Sequence, residues 1–85
     1  MEGDLTPTNS EGNPHGYWVM HDGDTGEINY KGAYVNGLEH GPWVEYHTHG
    51  RKRESGTYRN GEKIGVWFYY RSGEKVRRTE YIIRT

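Results

Sequence analysis

The chain has 85 residues, of which 31% are hydrophobic and nearly half of those aromatic, so a closed barrel or two-layer sandwich with a thick aliphatic core would be hard to fill. It contains no cysteine, which excludes disulfides as a source of stability. Its net charge of −1 is not that of a uniformly basic nucleic-acid module.

In chain order, residues 1–14 carry Gly, Asp, Thr, Pro, Asn and Ser but no aromatic, and read as a flexible, disordered tail. A repeated phrase follows: His15-Gly16-Tyr17-Trp18, His40-Gly41-Pro42-Trp43 and Ile64-Gly65-Val66-Trp67, at steps of 25 and 24 residues. After each Trp comes a Gly (Gly26, Gly50, Gly73) and, eight residues beyond it, a Tyr (Tyr34, Tyr58, Tyr81). Periods of this length mark repeated supersecondary units. The units are 15–38, 39–62 and 63–85, forming one domain over residues 15–85.

The Trp-to-Gly distance shrinks from eight to seven to six residues while the Gly-to-Tyr distance is constant. Length variation therefore lies in a turn, and each unit reads as a hairpin. Asn36-Gly37 and Asn60-Gly61 are tight-turn pairs that accept positive φ and join the units. The third unit has Ile83-Arg84 at that place and reads as terminal. Runs such as Val66-Trp67-Phe68-Tyr69-Tyr70 and Glu80-Tyr81-Ile82-Ile83 have strand composition, and no stretch carries a helical stripe. The fold class is all-β: a single-layer antiparallel meander of three stacked hairpins. A turn at Thr48-His49-Gly50 sets Trp43 opposite Gly56, and the first unit sets Trp18 near Gly32, where a large ring shields bare strand backbone.

The segment Gly56-Thr57-Tyr58-Arg59-Asn60-Gly61-Glu62-Lys63-Ile64-Gly65-Val66-Trp67 resembles the MORN repeat, most nearly the bacterial variant in proteins labelled YwqK-like antitoxins. The likeness runs from Gly16 to Tyr81. It implies stacked hairpins that serve as a scaffold, a protein-binding surface or a contact for anionic lipid, and it brings no catalytic residues. Thr79 departs from the pattern, standing where Gly32 and Gly56 stand in the other units.

The small net charge hides a polar layout. Residues 1–50 hold eight acids and one base, Lys31, whereas residues 51–85 hold ten bases and four acids. All five histidines, His15, His21, His40, His47 and His49, lie in the acidic half. The basic half, with Arg51, Lys52, Arg53, Arg59, Lys63, Arg71, Lys75, Arg77 and Arg78 among Tyr58, Trp67, Phe68, Tyr69 and Tyr70, has groups that hold phosphates and stack bases. The acidic half would repel the same polyanion, so nucleic acid or anionic lipid ranks second to a protein partner.

Other chemistries fare worse. His47 and His49 could form a metal pair, but they sit at a turn without an assured third ligand. Asp22, Asp24 and Glu27 lack the spacing of a complete calcium loop. Ser10, Ser55 and Ser72 have no nucleophile-elbow context, and a one-layer sheet offers no deep pocket. The sequence thus leads to a non-enzymatic module with no cofactor or metal. It would dock on a larger protein as an antitoxin-like or phage-type inhibitor, using the face of Tyr46, Phe68 and Tyr70 or the edge strand of Tyr81, Ile82 and Ile83. Arg51, Lys52, Arg53, Arg77 and Arg78 would orient it, and the open edge also suits a homodimer. No signal, transmembrane run or lipidation motif is visible, and a cytoplasmic site is expected.

Overall fold

In the computed structural model, residues 4–47 and 50–82 are described. Six strands lie in one antiparallel sheet in chain order: β1 (Gly16–His21), β2 (Ile28–Val35), β3 (Leu38–Tyr46), β4 (Lys52–Arg59), β5 (Glu62–Arg71) and β6 (Glu74–Tyr81). The sheet is a slab of 40 × 39 × 12 Å, so both faces are open. Asn36-Gly37 and Asn60-Gly61 take positive φ at both residues, as the tight hairpin turn requires, and Ser72-Gly73 closes β5 to β6 in the same way. Beyond the first two turns, Gly41 (φ 94°) and Gly65 (φ 66°) lie in bulges where β3 and β5 carry extra residues opposite Gly32–Tyr34 and Ser55–Thr57. This backbone demand accounts for Gly41 and Gly65, two residues before Trp43 and Trp67.

The register pairs Trp18 with Gly32, Trp43 with Gly56 and Trp67 with Thr79, as the repeat implies. The rings go elsewhere. A Cβ on Gly32 would meet Trp43 at 2.1 Å, and one on Gly56 would meet Trp67 at 2.2 Å. Each ring thus leans back over the glycine of the preceding unit instead of its own. Tyr58 stands edge-on to Trp43, and Thr79, which has a side chain, stands opposite Trp67. Among the described residues no later ring crosses Thr79, so that position does not need glycine.

The segment read as a flexible tail is placed against β1 from Asp4 onward; Met1, Glu2 and Gly3 fall outside the described residues. Leu5 and Val19 exchange two backbone hydrogen bonds of 2.9 Å, and the His15 N–H donates to the Pro7 carbonyl at 3.1 Å. The chain reverses around Asn9, whose side-chain oxygen accepts the N–H groups of Glu11 and Asn13. The Trp18 indole donates to the Pro7 carbonyl at 2.8 Å, as the Trp67 indole donates to Thr57 in β4 at 3.0 Å. This strap therefore gives Trp18 what a preceding strand gives Trp67. Composition does not show it, because the strap docks through backbone groups, a proline ring and two polar side chains, Asp4 on His21 and Asn9 on Asn36, and through no aromatic.

Candidate interaction surface

Alternation sorts the side chains onto two faces with different work. One face holds the core. Trp18, Tyr34, Trp43, Tyr58 and Trp67 form an edge-to-face row with centroid spacings of 5.2, 5.4, 5.3 and 5.0 Å, and Tyr30 stacks on Trp43 at 5.1 Å. Of these rings, Trp43 and Trp67 are buried, with Trp67 at 0% exposure. Burial in this row pushes the hydroxyl pKa values of Tyr34 and Tyr58 up.

Lys63 closes the β5–β6 end of this face. Its ammonium lies 4.4 Å from the Trp67 centroid and 3.2 Å from a Glu54 oxygen. Burial pulls its pKa down, but the hydrogen bonds to Glu54 and Tyr69 more than offset this, and the net shift is upward. Tyr69 and Tyr81 share a 2.9 Å hydrogen bond. That bond lowers the pKa of Tyr69 and raises that of Tyr81, as expected when Tyr81 donates and Tyr69 accepts. Arg77 covers the Tyr69 ring at 4.3 Å.

The opposite face carries the cross-strand column Val19, Lys31, Val44, Ser55, Phe68 and Arg78. Tyr46 of β3 and Phe68 and Tyr70 of β5 share this face with β4 between them, half-buried, and each sits under a lysine. Lys31 is 5.7 Å from the Tyr46 ring, Lys52 is 5.8 Å from Tyr70, and Lys75 is 4.0 Å from Phe68. The hydrogen bond with Tyr46 raises the pKa of Lys31. The Tyr70 hydroxyl bonds the Ser55 hydroxyl at 3.1 Å, which fixes the ring orientation. The result is a surface of aromatic rings with their cationic partners already in place.

The remaining sequence candidates are dispersed. Arg51 is exposed at the β3–β4 hairpin, and its carbonyl accepts the His47 N–H; neighbouring Arg53 pairs with Glu45 at 3.5 Å. Lys52 joins the Tyr70 group. Arg77 and Tyr81 belong to the core face, Arg78 approaches Glu80 at 3.9 Å, and Ile82 is 83% exposed just past β6. Ile83 lies outside the described residues. Arg51–Arg53 and Arg77–Arg78 are separated by β5, so the two basic clusters form no common site. Because strands follow chain order, the acidic half becomes β1–β3 and the basic half β4–β6, and charge runs across the slab.

No family model, curated protein or solved structure matches this chain. Among the described residues no three His, Asp or Glu side chains gather as a metal site, and His49 falls outside them. Among the described residues no helix is long and apolar enough to cross a membrane. Asp22 uses its carboxylate within its own turn, accepting the N–H groups of Asp24 and Thr25 at 2.8 and 3.1 Å, and these bonds lower its pKa.

Sequence reasoning missed two classes of residue. Lys31, Lys63 and Lys75 serve as ring caps, and only cross-strand register reveals that. His15 and His40 hold the Asn-Gly turns: the N–H groups of Asn36 and Asn60 point to their Nδ1 atoms at 3.1 and 3.5 Å. Their signal was present in the repeat itself, since both precede the glycine of the repeated Gly-x-Trp phrase.

Proposed function

We propose that this chain is a non-enzymatic protein-docking module of MORN-like hairpins that acts in the cytoplasm. It binds a larger protein through the face of Tyr46, Phe68 and Tyr70 or through the outer edge of β6. An antitoxin-like or phage-type inhibitor is the specific form this reading takes. The observation that carries it is the uncovered second face. Each of its rings has a lysine beside it and Tyr70 also bonds the Ser55 hydroxyl, which would lower the ordering cost of docking. A 40 × 39 Å face also exceeds the roughly 800 Å² that each partner contributes to an ordinary interface. The Trp–Tyr row, by contrast, is committed to holding the sheet.

The charge gradient would orient the encounter, with the basic β4–β6 half leading toward an acidic partner surface. The same lysines support a second reading, a phosphate-binding module for nucleic acid or anionic lipid. Salt separates the two, because phosphate binding weakens steeply with ionic strength.

The test compares the parent with Tyr46→Ser/Phe68→Ser/Tyr70→Ser and with Arg51→Glu/Lys52→Glu/Arg53→Glu, using capture from native host extract and retention on nucleic acid and anionic vesicles. A protein retained by the parent at physiological salt and lost by the face variant supports docking. Tight, selective nucleic-acid or vesicle retention abolished by the charge reversal, with no protein captured, overturns it.

A further inference from the structure

The two edges of the sheet differ. The β1 edge is covered by the strap through Leu5 and Val19, whereas the outer edge of β6 has no strand beside it among the described residues. Val76 and Ile82, 57% and 83% exposed, project from this edge region. Unpaired strand edges with apolar side chains are sites for strand addition.

What can add there is restricted. A strand of the chain's own repeat type would bring a Trp over Thr79, as Trp43 comes over Gly32 and Trp67 over Gly56. Those rings lie within 2.2 Å of where a Cβ would stand, and Thr79 has one. Head-to-tail addition of β1 from another copy meets a second obstacle, because the strap already occupies the β1 edge. The incoming strand must therefore present a small or slender residue opposite Thr79. β6 itself does so.

We propose that β6 pairs antiparallel with β6 of a second copy across a two-fold axis at Thr79, giving a dimer with one continuous sheet. The sequence Val76-Arg77-Arg78-Thr79-Glu80-Tyr81-Ile82 is self-complementary about that point. Thr79 faces its own copy, Arg78 faces Glu80, Arg77 faces Tyr81 and Val76 faces Ile82, and each unlike pair occurs twice. These are favourable cross-strand types: an opposite-charge pair, a cation–ring pair and an aliphatic pair.

Neighbouring registers that keep like faces together fail on charge. Centring on Arg77, Arg78 or Glu80 sets that residue against its own copy, and centring on Val76 sets Lys75 against Arg77. Only the Thr79 register, among those with comparable overlap, avoids like-charge pairs. β6 itself carries three bases and two acids, so its own repulsion is small. The bases of β4 lie about two strand spacings away, on the order of a Debye length at physiological salt.

The dimer would occupy the β6 edge and leave the Tyr46 face as the place where a larger protein docks. Self-association is read on the purified chain, and its failure leaves the Tyr46 face untouched. Sedimentation equilibrium should show a monomer–dimer equilibrium. Arg78→Glu and Glu80→Arg, at side chains 58% and 62% exposed, should each raise the dimer dissociation constant about tenfold or more, and the double exchange should restore it. Circular dichroism confirms folding in each case.

Because the native chain has no cysteine, single introduced thiols report the register directly. Thr79→Cys should oxidise to a symmetric dimer, Val76→Cys should not, and a mixture of Val76→Cys with Ile82→Cys should give the mixed dimer. A monomer at all concentrations, a dimer indifferent to both charge changes, or self-crosslinking of Val76→Cys in preference to Thr79→Cys would each overturn the proposal.

Discussion

Replacing Gly56 with alanine isolates the contact that joins one unit to the next. Gly56 does not have positive φ, so the substitution acts through space alone. The added methyl would lie 2.2 Å from Cδ2, 2.3 Å from Cε2 and 2.5 Å from Cγ of Trp67. An ordinary carbon contact is about 3.5 to 4.0 Å, so the ring must retreat by more than about 1 Å. It has no slack: it is fully buried, donates to Thr57, meets Tyr58 edge-on and lies under Lys63.

Overpacking costs about 1–3 kcal/mol. Losing the indole hydrogen bond adds about 0.5–1.5 kcal/mol, and losing the aromatic pair a similar amount. Gly56→Ala should therefore destabilise by about 2–6 kcal/mol, a large share of the roughly 4–13 kcal/mol expected for a chain of this length. Thermal unfolding followed by tryptophan fluorescence and circular dichroism should show Tm lower by about 10 °C or more. Gly23→Ala is the control, since nothing lies within 4 Å of its added methyl. A Gly56→Ala protein that melts with the parent and keeps its Trp emission would refute the idea that ring-over-glycine contacts weld the units.

Two further outcomes follow from the same face. Tyr34 and Tyr58 have pKa values raised by burial, so the unfolded chain ionises first as pH climbs: stability should hold below about pH 10, the unfolded tyrosine value, and fall as pH rises toward the folded values. Urea unfolding at a series of alkaline pH values checks this, with Tyr34→Phe expected to flatten the decline; an unchanged slope would count against burial as the cause. Deleting residues 1–8 removes the Pro7 carbonyl and the Leu5 bridge from β1, so Trp18 should become markedly easier to quench with acrylamide while stability drops by about 1–3 kcal/mol. Unchanged quenching would mean that the strap does not cover that ring.

The strands and turns were legible because they rest on local backbone demands. Asn36-Gly37 and Asn60-Gly61 can hold positive φ, and the constant Gly-to-Tyr spacing fixed register closely enough to place Trp18 against Gly32 and Trp43 against Gly56. Alternation likewise put Tyr46, Phe68 and Tyr70 on one face. The direction in which a Trp ring leans was not legible, because both flanking strands offer Trp43 a glycine and the choice depends on neighbouring side chains such as Tyr58. Strap docking was hidden for a different reason: a backbone hydrogen bond to Pro7 leaves no trace in hydrophobic periodicity. The pairing of Lys52 with Tyr70 and of Lys75 with Phe68 depends on cross-strand neighbours, which distance along the chain does not encode.

The backward lean of the rings bears on how such a chain can change length. The middle unit lays its indole over Gly32 of the unit before it and offers Gly56 to the indole of the unit after it. A duplicated stretch from the bulge glycine of one unit to that of the next would bring both halves of this exchange with it. Every indole would still find a seat, and the new hydrophobic contacts would be copies of those at Gly32 and Gly56. An insertion of half that length would strand an indole or leave a glycine bare. The fold is thus quantised in whole hairpins, and a longer version requires no new core to be invented.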